Sequence, residues 1–268
     1  QHLTTTFAYD PDNRLVAVTD PAGLTSVTVY DPDGNVVAAI DPRIVNGQHL
    51  TTTYTYDLRN RQKSTTDPSG LTTTTVYDND GNVIATIDPR IVNGQHLTTT
   101  YTYDLDNRLT LVTDPAGYTT QTFYDGDGNV VETVDGRNLA TFITYDAANR
   151  PVTVKDPTNH VVTTVYDAVG DVRRVLDPRT VNGTLVTLET DYTYDGDDRV
   201  LTVTDPAGFT TATTYDADGD VLTVTDPRVV DGLHPVTVYT YDALDRRVTA
   251  TDPAGGLSQW LYDADDNV

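Results

Sequence analysis

The chain has 268 residues and a net charge of −23, and it contains no cysteine. That balance excludes a phosphate-backbone partner such as nucleic acid, a disulfide framework and thiol chemistry. No apolar run approaches the ~20 residues of a membrane-spanning helix, so no membrane span is expected.

Nearly all the acid is aspartate; Glu132 and Glu189 are the only glutamates. The aspartates are periodic. A Tyr-Asp dyad recurs with its aspartate at Asp10, Asp31, Asp57, Asp78, Asp104, Asp125, Asp146, Asp167, Asp195, Asp216, Asp242 and Asp263. Ten residues after each of the first eleven stands another Asp, followed by Pro everywhere except Asp135. A repeat this regular predicts a quasi-one-dimensional array in which each unit packs on its neighbours.

In chain order, the first phrase ends in Asp20-Pro21-Ala22-Gly23, the residue order of a type I turn. The same order recurs at Asp67–Gly70, Asp114–Gly117, Asp205–Gly208 and Asp252–Gly255. The Tyr-Asp turns carry Gly, Asn or Asp at their fourth place, from Asn13 and Gly34 through to Asp245 and Asp266. These residues best tolerate a left-handed backbone, so each dyad predicts a three-residue hairpin loop with a bulge. Between turns run six to eight residues rich in Thr, Val, Tyr, Ile and Leu, the composition of strands.

The true unit is two phrases, about 47 residues. The residue after the left-handed place alternates Arg14, Asn35, Arg61, Asn82, Arg108, Asn129, Arg150, Asp171, Arg199, Asp220, Arg246, Asn267. With so many aspartates nearby, these arginines are expected to bridge turn carboxylates of adjacent hairpins. Asn46-Gly47, Asn93-Gly94, Asn182-Gly183 and Asp231-Gly232 predict the tips of four longer hairpin arms. Residues 1–268 read as a single continuous array of six two-hairpin units, about 24 strands, with no domain boundary. Residues 1–6 repeat residues 48–53 and 95–100, so the chain reads as an excerpt of a longer repetitive protein.

The phrase Tyr77-Asp78-Asn79-Asp80-Gly81-Asn82-Val83, closed by Asp88-Pro89, resembles the YD repeat of the RHS family. That family includes the bacterial RHS and Tc-type toxin shells and the teneurin ectodomains. The resemblance extends over the whole chain. It implies an all-β fold: an array of β-hairpins wound into a spiral ribbon, shell or tube, with no active site in the repeats.

Each candidate for chemistry meets a structural alternative. A carboxylate pattern repeated twelve times offers no unique acid–base pair, and turn formation accounts for it. The Asp-x-Asp-Gly-Asn loops at Asp31, Asp33 and Asn35, at Asp78, Asp80 and Asn82, and at Asp125, Asp127 and Asn129 supply hard oxygen ligands of the kind calcium takes. Their spacing is not that of an EF-hand, and the bulged hairpin explains the same residues. His2, His49, His96 and His234 share one offset and would form a row if the units stack, suited to metal or pH sensing; surface placement is the alternative. His160 stands alone in a turn. None of Ser26, Ser64, Ser69 and Ser258 is paired with a His in sequence. The Tyr ladder offers stacking surfaces for sugars, or packing between hairpins.

The reading is a non-catalytic structural segment of a secreted or cell-surface shell, tube or filament, with no enzyme activity and no resident cofactor, calcium being the one candidate. The alternatives are a teneurin-like adhesion or carbohydrate-binding segment and part of an RHS/Tc-type cocoon. The expected partners are further copies of the same repeat. About 24 strands at ~4.8 Å spacing make a ribbon ~115 Å long, which closed on itself leaves too little room for a folded cargo. The array is therefore expected to continue, or to dock edge to edge on the next copy.

Overall fold

A computed structural model describes residues 4–45, 47–230 and 232–262. Among them there is no helix and there are twenty-three β-strands. The first eleven are β1 (Thr6–Tyr9), β2 (Leu15–Thr19), β3 (Thr25–Tyr30), β4 (Val36–Val45), β5 (Gln48–Tyr56), β6 (Gln62–Thr66), β7 (Thr72–Tyr77), β8 (Val83–Val92), β9 (Gln95–Tyr103), β10 (Leu109–Thr113) and β11 (Thr119–Tyr124). They are followed by β12 (Val130–Val134), β13 (Ala140–Tyr145), β14 (Pro151–Lys155), β15 (Val161–Tyr166), β16 (Val172–Val181) and β17 (Thr184–Tyr194). The last six are β18 (Val200–Thr204), β19 (Thr210–Tyr215), β20 (Val221–Thr225), β21 (Val236–Tyr241), β22 (Arg247–Thr251) and β23 (Leu257–Gln259).

The chain forms two compact units: Gln1–Phe123 with Thr133–Leu139, and Tyr124–Glu132 with Ala140–Val268. In the first, β1 to β11 pair antiparallel, each with its neighbour in sequence. In the second, β13 to β23 pair in the same way. Sequential pairing follows from the short turns, which leave no chain for a crossover.

The turns form as their residues dictate. In the first, Asn13 N–H donates to the Asp10 carbonyl at 3.0 Å and Asp10 N–H to the Arg14 carbonyl at 3.0 Å. Asn13 has φ 62°. The β1–β2 register slips by one residue beside Tyr9, which is the expected bulge. The Asp side chain completes the turn: Asp10 Oδ1 accepts the N–H groups of Asp12 and Arg14 at 3.0 and 2.9 Å. The Asp-Pro turns repeat this, with Asp20 Oδ1 accepting Ala22 and Leu24 N–H at 2.8 and 2.9 Å. The final dyad aspartate Asp263, with Asp266 and Asn267, lies outside the described residues.

Length suggests a sizeable core, but among the described residues no side chain is fully buried. Inner strands are flanked by a neighbour on either side and are covered only in part by anything above or below. Cross-strand hydroxyl pairs take part of the place of a core. Thr19 and Thr25 meet at 2.8 Å, Thr144 and Thr153 at 2.6 Å, Thr240 and Thr249 at 2.6 Å. This is one physical reason for the threonine richness of the strands.

Three long arms form as strand pairs: β16–β17 is continuous, while β4–β5 and β8–β9 are interrupted between Ile40 and Ile44 and between Ile87 and Ile91. Asn93 and Gly94 (φ 53° and 81°) and Asn182 and Gly183 (51° and 79°) both take the left-handed conformation that a two-residue hairpin turn requires. The arm near Gly232 is reduced to an isolated bridge between Val230 and Leu233. Pro235 stands in the returning segment just before β21 and has no N–H to give to a ladder. Asn46 and Asp231, at two of the arm tips, lie outside the described residues.

Candidate functional site

The Tyr-Asp turns line one end of the strands, and the two-phrase period becomes physical there. Each odd-numbered turn carries the arginine. Arg14 Nε donates to its own turn aspartate, Asp10 Oδ2, at 2.8 Å, and its Nη1 donates to the Asp31 carbonyl in the next turn at 3.3 Å. Its guanidinium lies 4.9 Å from the centre of the Tyr30 ring. Arg61 does the same with Asp57, the Asp78 carbonyl and Tyr77, and Arg199 with Asp195, the Asp216 carbonyl and Tyr215. Arg150 and Arg246 pair with Asp146 and Asp242 and stack on Tyr166 and Tyr262, and Arg108 pairs with Asp104. This corrects the expectation that the arginines reach carboxylates of adjacent hairpins. The carboxylate is the arginine's own, four residues back across the bulge, and the adjacent hairpin is held through a carbonyl and an aromatic face.

The first three even-numbered turns carry an amide instead. Asn35 Nδ2 donates to Asp31 Oδ2 at 3.0 Å within its turn and to Asn60 Oδ1 of the next turn at 3.1 Å. Asn82 bridges to Asn107 at 2.7 Å and Asn129 to Asn149 at 2.9 Å. Arginine seams and asparagine seams thus alternate along the first unit. The dyad tyrosines add a third tie. Tyr56 OH donates to the Val36 carbonyl at 2.9 Å, Tyr103 OH to Val83 at 3.0 Å and Tyr194 OH to Val172 at 2.9 Å, in each case the first residue of an earlier strand.

The nine residues suited to calcium fall in the even turns. The side-chain hydrogen bond from Asn35, joined by backbone N–H groups, holds the Asp31 carboxyl below the usual carboxylate range. Asn82 and Asn129 lead the same effect on Asp78 and Asp125. Asn35, Asn82 and Asn129 present an N–H to these carboxylates, and Asp33, Asp80 and Asp127 sit exposed at the loop tips. Among the described residues no three His, Cys, Asp or Glu side chains are arranged to hold a metal ion.

The Teneurin YD-shell family model matches residues 43–170, and the RHS Repeat model matches residues 2–25, 9–43, 194–228 and 215–257. Together they span residues 2–170 and 194–257. The chain belongs to the YD-repeat, or RHS-repeat, family. The YD-repeat fold recurs in solved structures. The crystal structure of TcdB2-TccC3-Cdc42 matches with a TM-score of 0.72 at 16% identity, over 97% of this chain and 16% of that one. The crystal structure of TcdB2-TccC3-TEV matches with a TM-score of 0.60 at 18% identity, over 98% and 17%. The chain therefore spans about a sixth of the length of the solved chains it matches. No curated protein gives a significant match.

The YD-repeat frame places the histidines. His49, His96 and His234 are exposed, each with Nδ1 3.1 to 3.2 Å from the carbonyl of the Asp-Pro aspartate at the base of its arm: Asp41, Asp88 and Asp226. His2 lies outside the described residues. His160 belongs to a different arrangement. Its Nε2 lies 2.6 Å from Asp177 Oδ1, and Arg179 Nε donates to Asp177 Oδ2 at 2.7 Å. His160 and Arg179 line an open groove of about 740 Å³ with Thr158, Asn159 and Leu185. Sequence reasoning missed the His160–Asp177 pair because 17 residues and a strand separate the two. The available signal was a histidine at a position filled by Leu24, Leu71, Tyr118, Leu139 and Phe209 in other phrases. The missed arginine–tyrosine stacking had a signal too, in the sixteen-residue offset that recurs from Arg14 to Tyr30 and from Arg61 to Tyr77.

Proposed function

We propose that this chain is a non-catalytic wall segment of an extracellular shell built from YD repeats. The observation that carries this reading is the repeated use of the same polar groups. Turn aspartates cap their own backbone, arginines and asparagines tie neighbouring turns together, and tyrosine hydroxyls tie strand to strand. An acid–base or nucleophilic mechanism needs a unique pair set apart from its neighbours, and here the same contacts recur turn after turn. The turn carboxylates act as caps and seam acceptors, with no calcium required. The partners are further YD repeats, in the same chain or in a neighbouring copy, and a Tc-type or RHS-type cocoon is the assembly that fits. Extracellular or cell-surface placement goes with that role.

Cryo-electron microscopy of the full-length parent tests it. The reading expects these repeats in the wall of a hollow particle. Repeats found apart from any wall, or turnover abolished by a substitution within residues 1–268, would overturn it.

A further inference from the structure

Two of the asparagine seams in the second unit are not asparagine. Where other even turns place Asn35, Asn82 and Asn129, the chain has Asp171 and Asp220; where the next turns place Asn60, Asn107 and Asn149, it has Asp198 and Asp245. Backbone geometry is unaffected, because Asp198 and Asp245 take the left-handed conformation at φ 60° and 56°, as Asn60 does at 58°. The chemistry changes on both sides of the seam. An asparagine there donates one N–H to its own turn aspartate and one to the next turn, as Asn129 does to Asp125 and Asn149. An ionised aspartate has no hydrogen to donate. Correspondingly, Asp171 Oδ2 and Asp220 Oδ2 are shut off from solvent without a hydrogen-bond partner, and they are the only two such side-chain atoms among the described residues.

We propose that each of these two seams is closed by a proton: a carboxylic acid at Asp171 or Asp220 donates where asparagine donates elsewhere, so the joints tighten in acid and loosen toward neutral pH. Among the described residues no cation competes for either carboxyl. Asp171 faces Asp167 of its own turn and Asp198 of the next, with Tyr194 alongside. Arg150 lies near Asp167 but is paired with Asp146, and Arg199 with Asp195 and Asp197. Asp220 faces Asp216, Asp218 and Asp245, with Tyr241 alongside and Arg247 beyond it. Arg199 reaches the Asp216 carbonyl, and Arg246 pairs with Asp242.

Desolvation first, then the facing aspartates, push both the Asp171 and Asp220 carboxyls above the usual carboxylate range. A folded-state value raised above the unfolded one gives stability that is complete below the unfolded value. That stability is lost as pH rises through the folded value. The window therefore opens at about pH 4 and runs upward. It is separate from the acid limb of the arginine-paired aspartates, which lies below about pH 4.

The test compares wild type with Asp171→Asn/Asp220→Asn, which restores the amide seam, by thermal melting from about pH 4 to about pH 8. Wild type is expected to lose several degrees relative to the variant as pH rises, with the two converging in acid. Transplanting the acid pair by Asn129→Asp/Asn149→Asp is expected to add the same pH dependence to a seam that lacks it. Carbon-detected NMR of the side-chain carboxyls gives a readout independent of stability, and Asp171 and Asp220 are expected to titrate above the usual carboxylate range. Parallel melting profiles for wild type and the asparagine variant, or ordinary midpoints for both carboxyls, would overturn the proposal.

Discussion

The Arg61 guanidinium lies 4.4 Å from the centre of the Tyr77 ring, while its Nη1 donates to the Asp78 carbonyl at 3.1 Å. One side chain thus holds the next hairpin by an aromatic face and by a backbone oxygen, while its Nε stays on Asp57 at 2.7 Å. Lysine has a single charged centre and cannot make all three contacts at once. Arg61→Lys is expected to lower the melting temperature of the chain, and a loss no larger than that of an exposed control such as Lys63→Arg counts against the seam.

Gly81 has φ +104°, and the Arg61 Nη1 atom lies 3.7 Å from where its Cβ would be. Asparagine takes φ near +57°, the value seen at the odd turns, rather than +104°. Gly81→Val is expected to cost about 1–2 kcal/mol or more through the backbone alone. Gly81→Asn is expected to destabilise too, although asparagine serves at Asn60. Denaturant unfolding of both variants checks this, and an unchanged midpoint for either one contradicts the turn geometry.

Tyr103→Phe removes only the hydroxyl that reaches the Val83 carbonyl at 3.0 Å. The expected loss is about 1 kcal/mol, that of one hydrogen bond whose acceptor is left unpaired. Equilibrium unfolding measures it, and a neutral result would place the tyrosine's contribution in its ring.

Asp41, Asp88 and Asp226 are pulled down to about 2, chiefly by the side-chain hydrogen bonds from Arg43, Arg90 and Arg228. A depressed folded-state value gives stability that is present above the ordinary carboxylate value of about 4 and lost as pH falls toward about 2. The triple variant Arg43→Ala/Arg90→Ala/Arg228→Ala is expected to lose stability at neutral pH and to show a shallower decline between pH 4 and 2. Melting curves across that range check the slope.

If the even-turn aspartates serve as caps, a chelator is expected to leave the melting temperature unchanged at constant ionic strength. Stabilisation that rises with added calcium as mass action requires would restore the calcium reading of Asp31, Asp78, Asp125 and their neighbours.

Strands and turns were legible in the sequence because their causes are local. Asp-Pro-x-Gly sets a turn by its own residues, and the left-handed place accepts only a few side chains. The alternation of Arg61 with Asn82 was equally visible, but its meaning was not. That Arg61 turns back to Asp57 and lies over Tyr77 depends on a bulge and on the pairing of the next hairpin, neither of which spacing reveals. The absence of any fully buried side chain among the described residues was likewise hidden, since composition does not say how many layers will cover a strand. Asp171 and Asp220 read as equivalents of Asn35, and only the shielding of their oxygens sets them apart.

The account rests on energetic coupling between successive turns, and a double-mutant cycle on Arg61→Ala and Tyr77→Leu measures that coupling most directly. The seam predicts an interaction free energy of about 0.5–1 kcal/mol between the two substitutions. Additive losses, with no coupling beyond error, would contradict it.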